Sequence, residues 1–294
     1  MHIIIKYIRL NEFVTHTRSI YSWNKGKLNL NTFKKIGLIV LGLGFDPRKL
    51  LKSILNLPHY TYGYFYFFLN IKKYPEWKLR LFPILCDRNT HSGVASGHYF
   101  HQDLWMAREI FRVKPNNHID IGSRIDGFIA HLLTFMNVKV IDIRDLNTNV
   151  NGLSFLRADI TILEPKYIGK SESVSCLHAL EHFGLGRYGD KLDIDGWKVG
   201  IKNISELVQD DGLLYFSVPI GKQTIEYNAH RVFNHQDVLD RFLDNGLVLK
   251  KFALVNDMGD LLIYDEDIKK IDMNELDYGL GLYIYKKTIH ITNK

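Results

Sequence analysis

Short apolar segments alternate with helical segments along the second half of this chain. Segments rich in apolar or β-branched residues lie at 118–121, 138–143, 174–177 and 213–218. Strands that alternate with helices at this spacing form βαβ units with right-handed crossovers and pair into a mainly parallel sheet. The last two apolar segments, 247–255 and 280–286, have no clear crossover helix of their own. The sequence therefore predicts an α/β fold whose C-terminal edge is antiparallel.

Four helices are predicted around these strands. The apolar positions Leu104, Ala107, Ile110 and Phe111 have helical spacing, and the turn at Pro115 follows them. The other three helices are predicted at about 128–135, 195–207 and 234–245. One helix thus precedes the first strand, and three lie between or after strands.

The charge of the chain is divided unevenly along its length. Residues 1–80 hold 14 Lys/Arg and 3 Asp/Glu, a net +11, whereas residues 81–294 hold 24 and 29, a net −5. The basic part also contains the aromatic run 60–68, and this mixture is typical of segments that contact an anionic, partly apolar surface such as a membrane. A helical extension with a solvated basic face is the alternative. Nucleic acid is disfavoured, because no compact nucleic-acid-binding motif is present.

Pro75, Pro83 and the polar stretch 87–96 predict a boundary between two parts of the chain. We assign residues 1–90 to a basic, mainly helical N-terminal region and residues 91–294 to the α/β domain. The cysteines Cys86 and Cys176 have no CxxC spacing, which indicates buried thiols in a reducing compartment and hence the cytoplasm.

The longest uncharged apolar run of the N-terminal part, Ile36 to Phe45, is about half of the roughly 20 residues that a membrane-spanning helix needs. No secretory signal sequence is recognised. We therefore expect a cytoplasmic protein that contacts the inner face of a membrane only peripherally, through residues 1–80.

Acidic and glycine residues follow the first three strands. Asp120 and Gly122 lie at the first turn, and Asp142 and Ile143 end the second strand. Asp159, in Arg157-Ala158-Asp159, follows a third strand that precedes the segment 174–177. Ligands of doubly wound sheets bind at these carboxyl ends, where a carboxylate can accept the hydroxyls of a ribose or the amino group of an adenine. The turn is not G-x-G-x-x-G, which argues against a dinucleotide. Each aspartate taken alone could instead cap a helix or stabilise a turn.

In their order and spacing, these residues resemble the class I S-adenosylmethionine-dependent methyltransferases, a Rossmann-like family, over roughly residues 118–287. More specifically, the stretches 97–105, 120–127, 177–190 and 228–233 resemble an uncharacterised methyltransferase-like family of bacterial surface-polysaccharide gene clusters and nematodes. The resemblance implies S-adenosylmethionine as cofactor and a sugar or glycan precursor as acceptor. The glycine loop departs from the family pattern, so Tyr99 and His101 become candidates for holding the methionine end.

The segment His178-Ala-Leu-Glu181-His182 carries the second group of candidate residues. It spells H-x-x-E-H, but glycines interrupt the helix that an inverted zinc peptidase requires. It also resembles the metal-binding run of metal-dependent O-methyltransferases, which implies that His178, Glu181, His182 and the later His230 hold a divalent cation. Imidazole ligands would favour Mn, Fe, Co or Zn. Without a metal, His182 or His230 could be the general base, and His178 would be a core residue. The candidate catalytic residues are therefore Glu181, His182 and His230.

Two classes of function remain open from the sequence. The first is a methyltransferase that acts on an oxygen of a sugar or glycan precursor, with or without a metal. The second is a Rossmann-like protein without this activity, which binds a nucleotide or nucleotide sugar in surface-polysaccharide assembly. RNA methylation is a weaker third option. Fold alone does not separate these classes, because function depends on the site.

Overall fold

The computed structural model describes residues 43–162, 170–264 and 273–288. These residues fall into two compact units, 43–94 and the residues from 95 onward. The predicted boundary between residues 90 and 91 lies close to this division. All residues before 43, and with them Ile36 to Gly42 of the apolar run, lie outside the described residues.

The smaller unit is built on one long helix, α1, Pro47–Asn70. Asp46 begins the helix, since its side chain accepts a hydrogen bond from the Arg48 backbone N–H, and Pro47 occupies the first helical position. A 3₁₀ turn, Ile71–Lys73, follows. No helix in the described part of the chain combines the length and the apolar character needed to cross a membrane.

The larger unit contains an eight-stranded sheet within the described residues, in the order β3-β2-β1-β4-β5-β10-β8-β9. The strands are β1 Ile119–Ile121, β2 Val138–Asp142, β3 Leu153–Arg157, β4 Ser171–Leu177, β5 Val208–Ile220, β8 Leu247–Val255, β9 Leu261–Tyr264 and β10 Gly279–Lys287. A separate hairpin pairs β6, Thr224–Glu226, with β7, His230–Val232.

The five neighbouring strands β3, β2, β1, β4 and β5 are mutually parallel. Strand β10 pairs antiparallel with both β5 and β8. The last strand of the chain therefore lies inside the sheet, between β5 and an outer pair, β8 and β9. This arrangement confirms the predicted Rossmann-like fold with an antiparallel C-terminal edge.

Helices cover both faces of this sheet. They are α2 His98–Val113, a π-type turn Ile125–Ile129 that continues as the short α-helix Ala130–Leu132, α3 Gly196–Leu207 and α4 His235–Asp244. The alternation of β5 separates the two cores: Leu214 and Phe216 pack with α3 and α4, and Tyr215 packs with α2. Helix α2 begins at His98, earlier than predicted, because its first turns bury polar side chains that interrupt the apolar pattern.

Both thiols were predicted to be buried, and only one is. Cys176 lies in the core of the sheet, whereas Cys86 is half-buried, with its sulfur 3.0 Å from the Ser53 hydroxyl. The prediction for Cys86 was wrong because the surrounding apolar residues, such as Phe82 and Ile84, are themselves exposed.

A buried polar network lies between β1 and β4. The imidazole of His118 bridges two hydroxyls, with Nδ1 2.7 Å from Ser173 Oγ and Nε2 2.9 Å from Ser175 Oγ. Burial lowers the pKa of His118 to about 3. The ring is therefore neutral in the folded protein near neutral pH.

We expect His118→Gln to reduce the acid sensitivity of the fold. In the wild type, as pH falls from about 6.5 toward 3, the unfolded chain binds a proton at this imidazole and the folded chain does not, so the free energy of unfolding decreases. Denaturant titrations of both proteins, each referred to its own value at neutral pH, measure this decrease. An equal or larger decrease in the variant would contradict a buried, neutral His118.

Candidate functional site

A cleft with a cavity volume of about 240 Å³ opens at the carboxyl ends of β1 to β4. This is where a parallel sheet presents its loops to a ligand. The residues predicted for the site that line it are Tyr99, Gly122, Asp142, Ile143, Asp159, His178 and His182.

The turn after β1 lines the cleft with the backbone of Gly122 and not with the carboxylate of Asp120. Gly122 has a φ of +71°, and a Cβ there would lie 3.0 Å from the Cβ of Ala179, so a larger residue would be both strained and crowded. Asp120 is fully buried and does not line the cleft. Its carboxylate accepts hydrogen bonds from Ser123 N (3.0 Å), Ser123 Oγ (2.6 Å) and Ser175 Oγ (2.5 Å). The prediction that Asp120 contacts the cofactor is therefore corrected to a role in holding the turn.

Asp142 lies at the end of β2 and faces the cleft, as predicted. Its carboxylate accepts the backbone N–H of Arg144 (2.8 Å) and two bonds from the Arg144 guanidinium, at 3.0 and 2.5 Å. The Arg144 guanidinium also lies 4.7 Å from the centre of the Tyr188 ring. A ribose at Asp142 would therefore have to displace the Arg144 side chain.

Asp159 follows β3 and lines the same side of the cleft. Its Oδ1 accepts hydrogen bonds from Thr161 N (2.8 Å) and Thr161 Oγ1 (2.7 Å), which fixes the carboxylate in a turn. Among the described residues, Oδ2 receives no comparable bond, so it is available to a donor such as an exocyclic amine. Capping and ligand binding are thus compatible at this residue.

Of the two residues proposed for the methionine end, one lies in the cleft. The Tyr99 ring stacks on His178, with centroids 4.8 Å apart. The Arg124 guanidinium lies over the Tyr99 ring, 5.1 Å from its centre. Burial, with the nearby Glu181 charge, raises the pKa of Tyr99 to about 12. His101 does not line the cleft; its ring packs edge-to-face against Phe100. His101 lies one helical turn beyond the buried start of α2 and is therefore excluded from the site.

His178 reaches the site by a different geometry from the one predicted. It does not share a helix face with His182, because its φ of +54° places it in the left-handed region and only a 3₁₀ turn, Leu180–His182, follows. In this conformation Nδ1 donates to Glu181 Oε1, and Nε2 lies 3.3 Å from Nδ1 of His98. Both ring nitrogens therefore have partners.

His182 lines the cleft, and the backbone fixes one of its ring nitrogens. Its Nδ1 lies 2.7 Å from the carbonyl oxygen of Ala229, which can only accept, so Nδ1 carries the proton and Nε2 presents a lone pair. That Nε2 lies 3.7 Å from Glu181 Oε1. Burial lowers the pKa of His182, and the Glu181 charge offsets this only in part. A neutral imidazole with an open lone pair can act as a base or as a metal ligand.

Glu181 is completely buried between the two histidines. Burial opposes its ionisation, but the neighbouring His178 and His182 outweigh this and hold the pKa of Glu181 below its ordinary value. Its second oxygen, Oε2, is buried with no hydrogen-bond partner among the described residues. An ionised carboxylate with one unsatisfied oxygen is the kind of group that binds a cation.

His178, Glu181 and His182 bring one ligand atom each within 4.8 Å of one another, the only such group in the described part of the chain. His230 lies outside this group. It begins β7, and its ring centre is 4.9 Å from that of Tyr278. Burial lowers the pKa of His230, and the nearby Glu181, His182 and His178 also affect it. The predicted set of four is therefore corrected to three, because the hairpin presents the Ala229 carbonyl to His182 rather than the His230 ring.

Several residues of the site were not predicted. His98 contacts His178 from 80 positions earlier, and Tyr188 packs edge-to-face on His182 with centroids 5.4 Å apart. Arg231 is buried and donates to the carbonyl of Phe183 (2.6 Å), which ties the hairpin to the loop after Glu181. Tyr188 and Arg231 lie within stretches that the family resemblance covers, as does His98, and this was the available signal for them.

Comparisons with known proteins place this chain beside a family without an assigned function. The model of the family described as "Caenorhabditis protein of unknown function, DUF268" matches residues 128–242. No curated protein matches the chain. The matched segment includes Asp142, Asp159 and the residues from His178 to His182.

Solved structures similar to this chain include three methyltransferases. The N-methyltransferase NodS from Bradyrhizobium japonicum is 12% identical, covers 65% of this chain and 88% of its own, and has a TM-score of 0.44. An S-adenosylmethionine-dependent methyltransferase from Clostridium acetobutylicum is 11% identical, covering 65% and 92%, at 0.44. Magnesium protoporphyrin IX methyltransferase from Synechocystis is 13% identical, covering 83% and 98%, at 0.44. Function must accordingly be inferred from the cleft itself.

We expect His182 to be neutral and protonated on Nδ1 at pH 7. Its Nδ1 must donate to the Ala229 carbonyl, and burial lowers its pKa. Nitrogen-15 imidazole spectra of the labelled protein, with His182→Asn used to assign the signal, report the tautomer directly. A signal typical of Nε2 protonation would contradict the orientation of this ring.

Proposed function

We propose that this chain is an S-adenosylmethionine-dependent methyltransferase that acts on an oxygen of a sugar or glycan precursor. The observation that carries the proposal is the arrangement of one cleft. Carboxylates at the ends of β2 and β3, Asp142 and Asp159, line the cleft together with His182, whose Nδ1 is held by the Ala229 carbonyl. A nucleoside and a nucleophile can therefore be held in the same cavity.

The cofactor end is supported by three neighbouring positions. The Gly122 turn allows close approach of a ligand to the backbone, Asp142 would accept the ribose hydroxyls, and Asp159 Oδ2 would accept the adenine amino group. Ile143, which directly follows Asp142, also lines the cleft. Tyr99, with Arg124 beside it, lies where the methionine end would extend toward His178.

Arg144, Tyr188 and Asp190 also line the cleft, and the Tyr188 ring packs against His182, so the space beside the candidate base is polar. Such groups suit a hydroxyl-rich or phosphorylated acceptor better than an apolar one. In the proposed reaction, the acceptor oxygen attacks the methyl carbon of the sulfonium, and the bonding electrons of the carbon–sulfur bond pass to sulfur. The hydroxyl proton moves to Nε2 of His182, and the products are a methyl ether and S-adenosylhomocysteine.

A divalent metal fits the donor set next to this base. The unsatisfied Glu181 Oε2 and the open Nε2 of His182 are ready ligands, and His178 would join them by giving up the proton that it donates to Glu181. Two imidazoles with one carboxylate favour Mn, Fe, Co or Zn. When bound, such an ion would lower the pKa of an acceptor hydroxyl. Independently of it, the Ala229 carbonyl orients His182 and the buried Glu181 stabilises the imidazolium.

Binding of a nucleotide or nucleotide sugar without methyl transfer is the second candidate. It is favoured by the two arginines that line the cleft, Arg124 and Arg144, whose guanidinium groups match phosphate geometry. Arg124 also stands at the position of the second glycine of the usual methyltransferase loop, two residues after Gly122.

Calorimetric titration of the full chain separates the two candidates. We expect binding of S-adenosylmethionine and S-adenosylhomocysteine, and release of S-adenosylhomocysteine when sugar or nucleotide-sugar acceptors are added. Binding of UDP-glucose with no measurable binding of either cofactor form would refute the methyltransferase and support the second candidate.

Replacing Asp142 should weaken cofactor binding while leaving the fold intact. A hydrogen bond to a charged group contributes about 1.5–3 kcal/mol, so Asp142→Ala should raise the dissociation constant of S-adenosylhomocysteine roughly tenfold or more. Asp195→Ala is the matched control, because Asp195 makes an ion pair with Lys198 at 2.7 Å and neither residue lines the cleft. Equal affinity in Asp142→Ala and wild type would remove Asp142 from the ribose site.

Metal content tests the donor set without an activity assay. We expect the protein, incubated with Mn, Fe, Co or Zn and then desalted, to retain close to one ion per chain. Glu181→Gln and His182→Asn should lose that ion, and His230→Asn should retain it, since His230 lies outside the ligand group. Retention in all three variants, or background levels in wild type, would leave His182 as a base that acts without a metal.

A further inference from the structure

We infer that the smaller unit docks on a membrane surface that contains anionic lipids, through the apolar face of α1. This inference does not rest on the proposed function. It concerns only residues 43–94, and it begins from an unusual distribution of covered and exposed faces along this helix.

The polar face of α1 is the face that the chain itself covers. Ser53 Oγ lies 3.0 Å from Cys86 Sγ, and the Asn56 side chain donates to the Leu85 carbonyl oxygen at 2.7 Å. Lys49, Ser53, Asn56, Tyr60 and Gly63 recur at three- and four-residue intervals along this side. The chain after α1 therefore folds back on the hydrophilic side of the helix.

A second side of α1, adjacent to the covered one, is apolar and exposed. Leu50, Ile54, Leu57, Phe65 and Phe68 lie along it, with Thr61 between Leu57 and Phe65, and 46–61% of the surface of each of these five apolar residues is accessible. None of the side chains of α1, all of which belong to the described residues, is buried. A contiguous exposed apolar face of this size marks an interaction surface.

The composition and charge of this face indicate a bilayer interface. No Asp, Glu, Lys or Arg occurs from residue 53 to residue 71, and the cations Arg48, Lys49, Lys52, Lys72 and Lys73 flank this stretch. Tyrosines alternate with phenylalanines between the flanks, which suits the headgroup level, where an aromatic ring can be half immersed. Cationic flanks around an aromatic, apolar face are typical of helices that lie in an anionic interface.

Charge also argues for lipid over a second copy of the chain. Residues 43–94 hold eight Lys/Arg and three Asp/Glu, a net +5, so pairing two such units through this face would bring like charges together. Anionic headgroups instead neutralise the flanks while acyl chains cover the apolar face.

Vesicle co-sedimentation of the full chain tests the inference. We expect binding to phosphatidylcholine vesicles that contain phosphatidylglycerol, weakening as salt rises, and at least about tenfold weaker binding to phosphatidylcholine alone. Phe65→Ser with Phe68→Ser, and separately Lys72→Glu with Lys73→Glu, should each lower the partition coefficient about tenfold or more. All four side chains are exposed, so secondary structure by circular dichroism should not change.

Matched double variants of the larger unit serve as controls. Leu243→Ser with Met258→Ser removes equally exposed apolar side chains, and Lys202→Glu with Lys222→Glu reverses two exposed lysines. Both should bind vesicles as the wild type does. No sedimentation with anionic vesicles at low salt would overturn the inference, as would a concentration-dependent dimer that Phe65→Ser with Phe68→Ser abolishes.

Discussion

One buried carboxylate, Asp120, joins the two sides of the cleft. It binds the backbone and hydroxyl of Ser123 in the turn after β1, and it binds Ser175 in β4. Ser123 Oγ in turn accepts the backbone N–H of Leu177, the residue directly before His178. Burial raises the pKa of Asp120 to about 6, although the hydrogen bonds from both serines oppose this. Removing a carboxylate that satisfies several buried donors would cost about 1–3 kcal/mol per donor left unpaired. The Gly122 turn and the loop that carries His178 therefore hold their positions through the same side chain.

Most of the fold could be predicted because its signal is periodic and local. The parallel strands appear as short apolar runs, and the absence of a crossover helix between β8 and β10 indicated the antiparallel edge, although not that β10 would lie inside the sheet. Elements without such a signal were missed. The strands β6 and β7 have only three residues each and are partly exposed, so no alternation identifies them. The first turns of α2 bury His98, Gln102 and Asp103, whose polarity hides the helical pattern.

The site could be predicted as a region but not atom by atom. Topology alone brings the ends of β1 to β4 together, so Asp142, Asp159 and His182 meet in one cleft. The direction of each side chain depends on local backbone geometry that the sequence does not specify. Asp120 turns inward between two serines, and His178 joins the site through a left-handed backbone conformation instead of a helix. The contact from His98 to His178 spans 80 residues, and only the folded chain reveals it.

The ion pair between Arg144 and Asp142 makes the cleft a site of internal competition. If a ribose takes the Asp142 carboxylate, the Arg144 guanidinium loses that partner while it still lies close to the Tyr188 ring. The unpaired guanidinium could then bind an anionic group. This anion-binding site would not exist before the nucleoside arrived. By linkage, an anion that captures Arg144 would strengthen nucleoside binding by the same factor. The two ligands would then bind in a preferred order, set by one arginine that exchanges an internal partner for an external one.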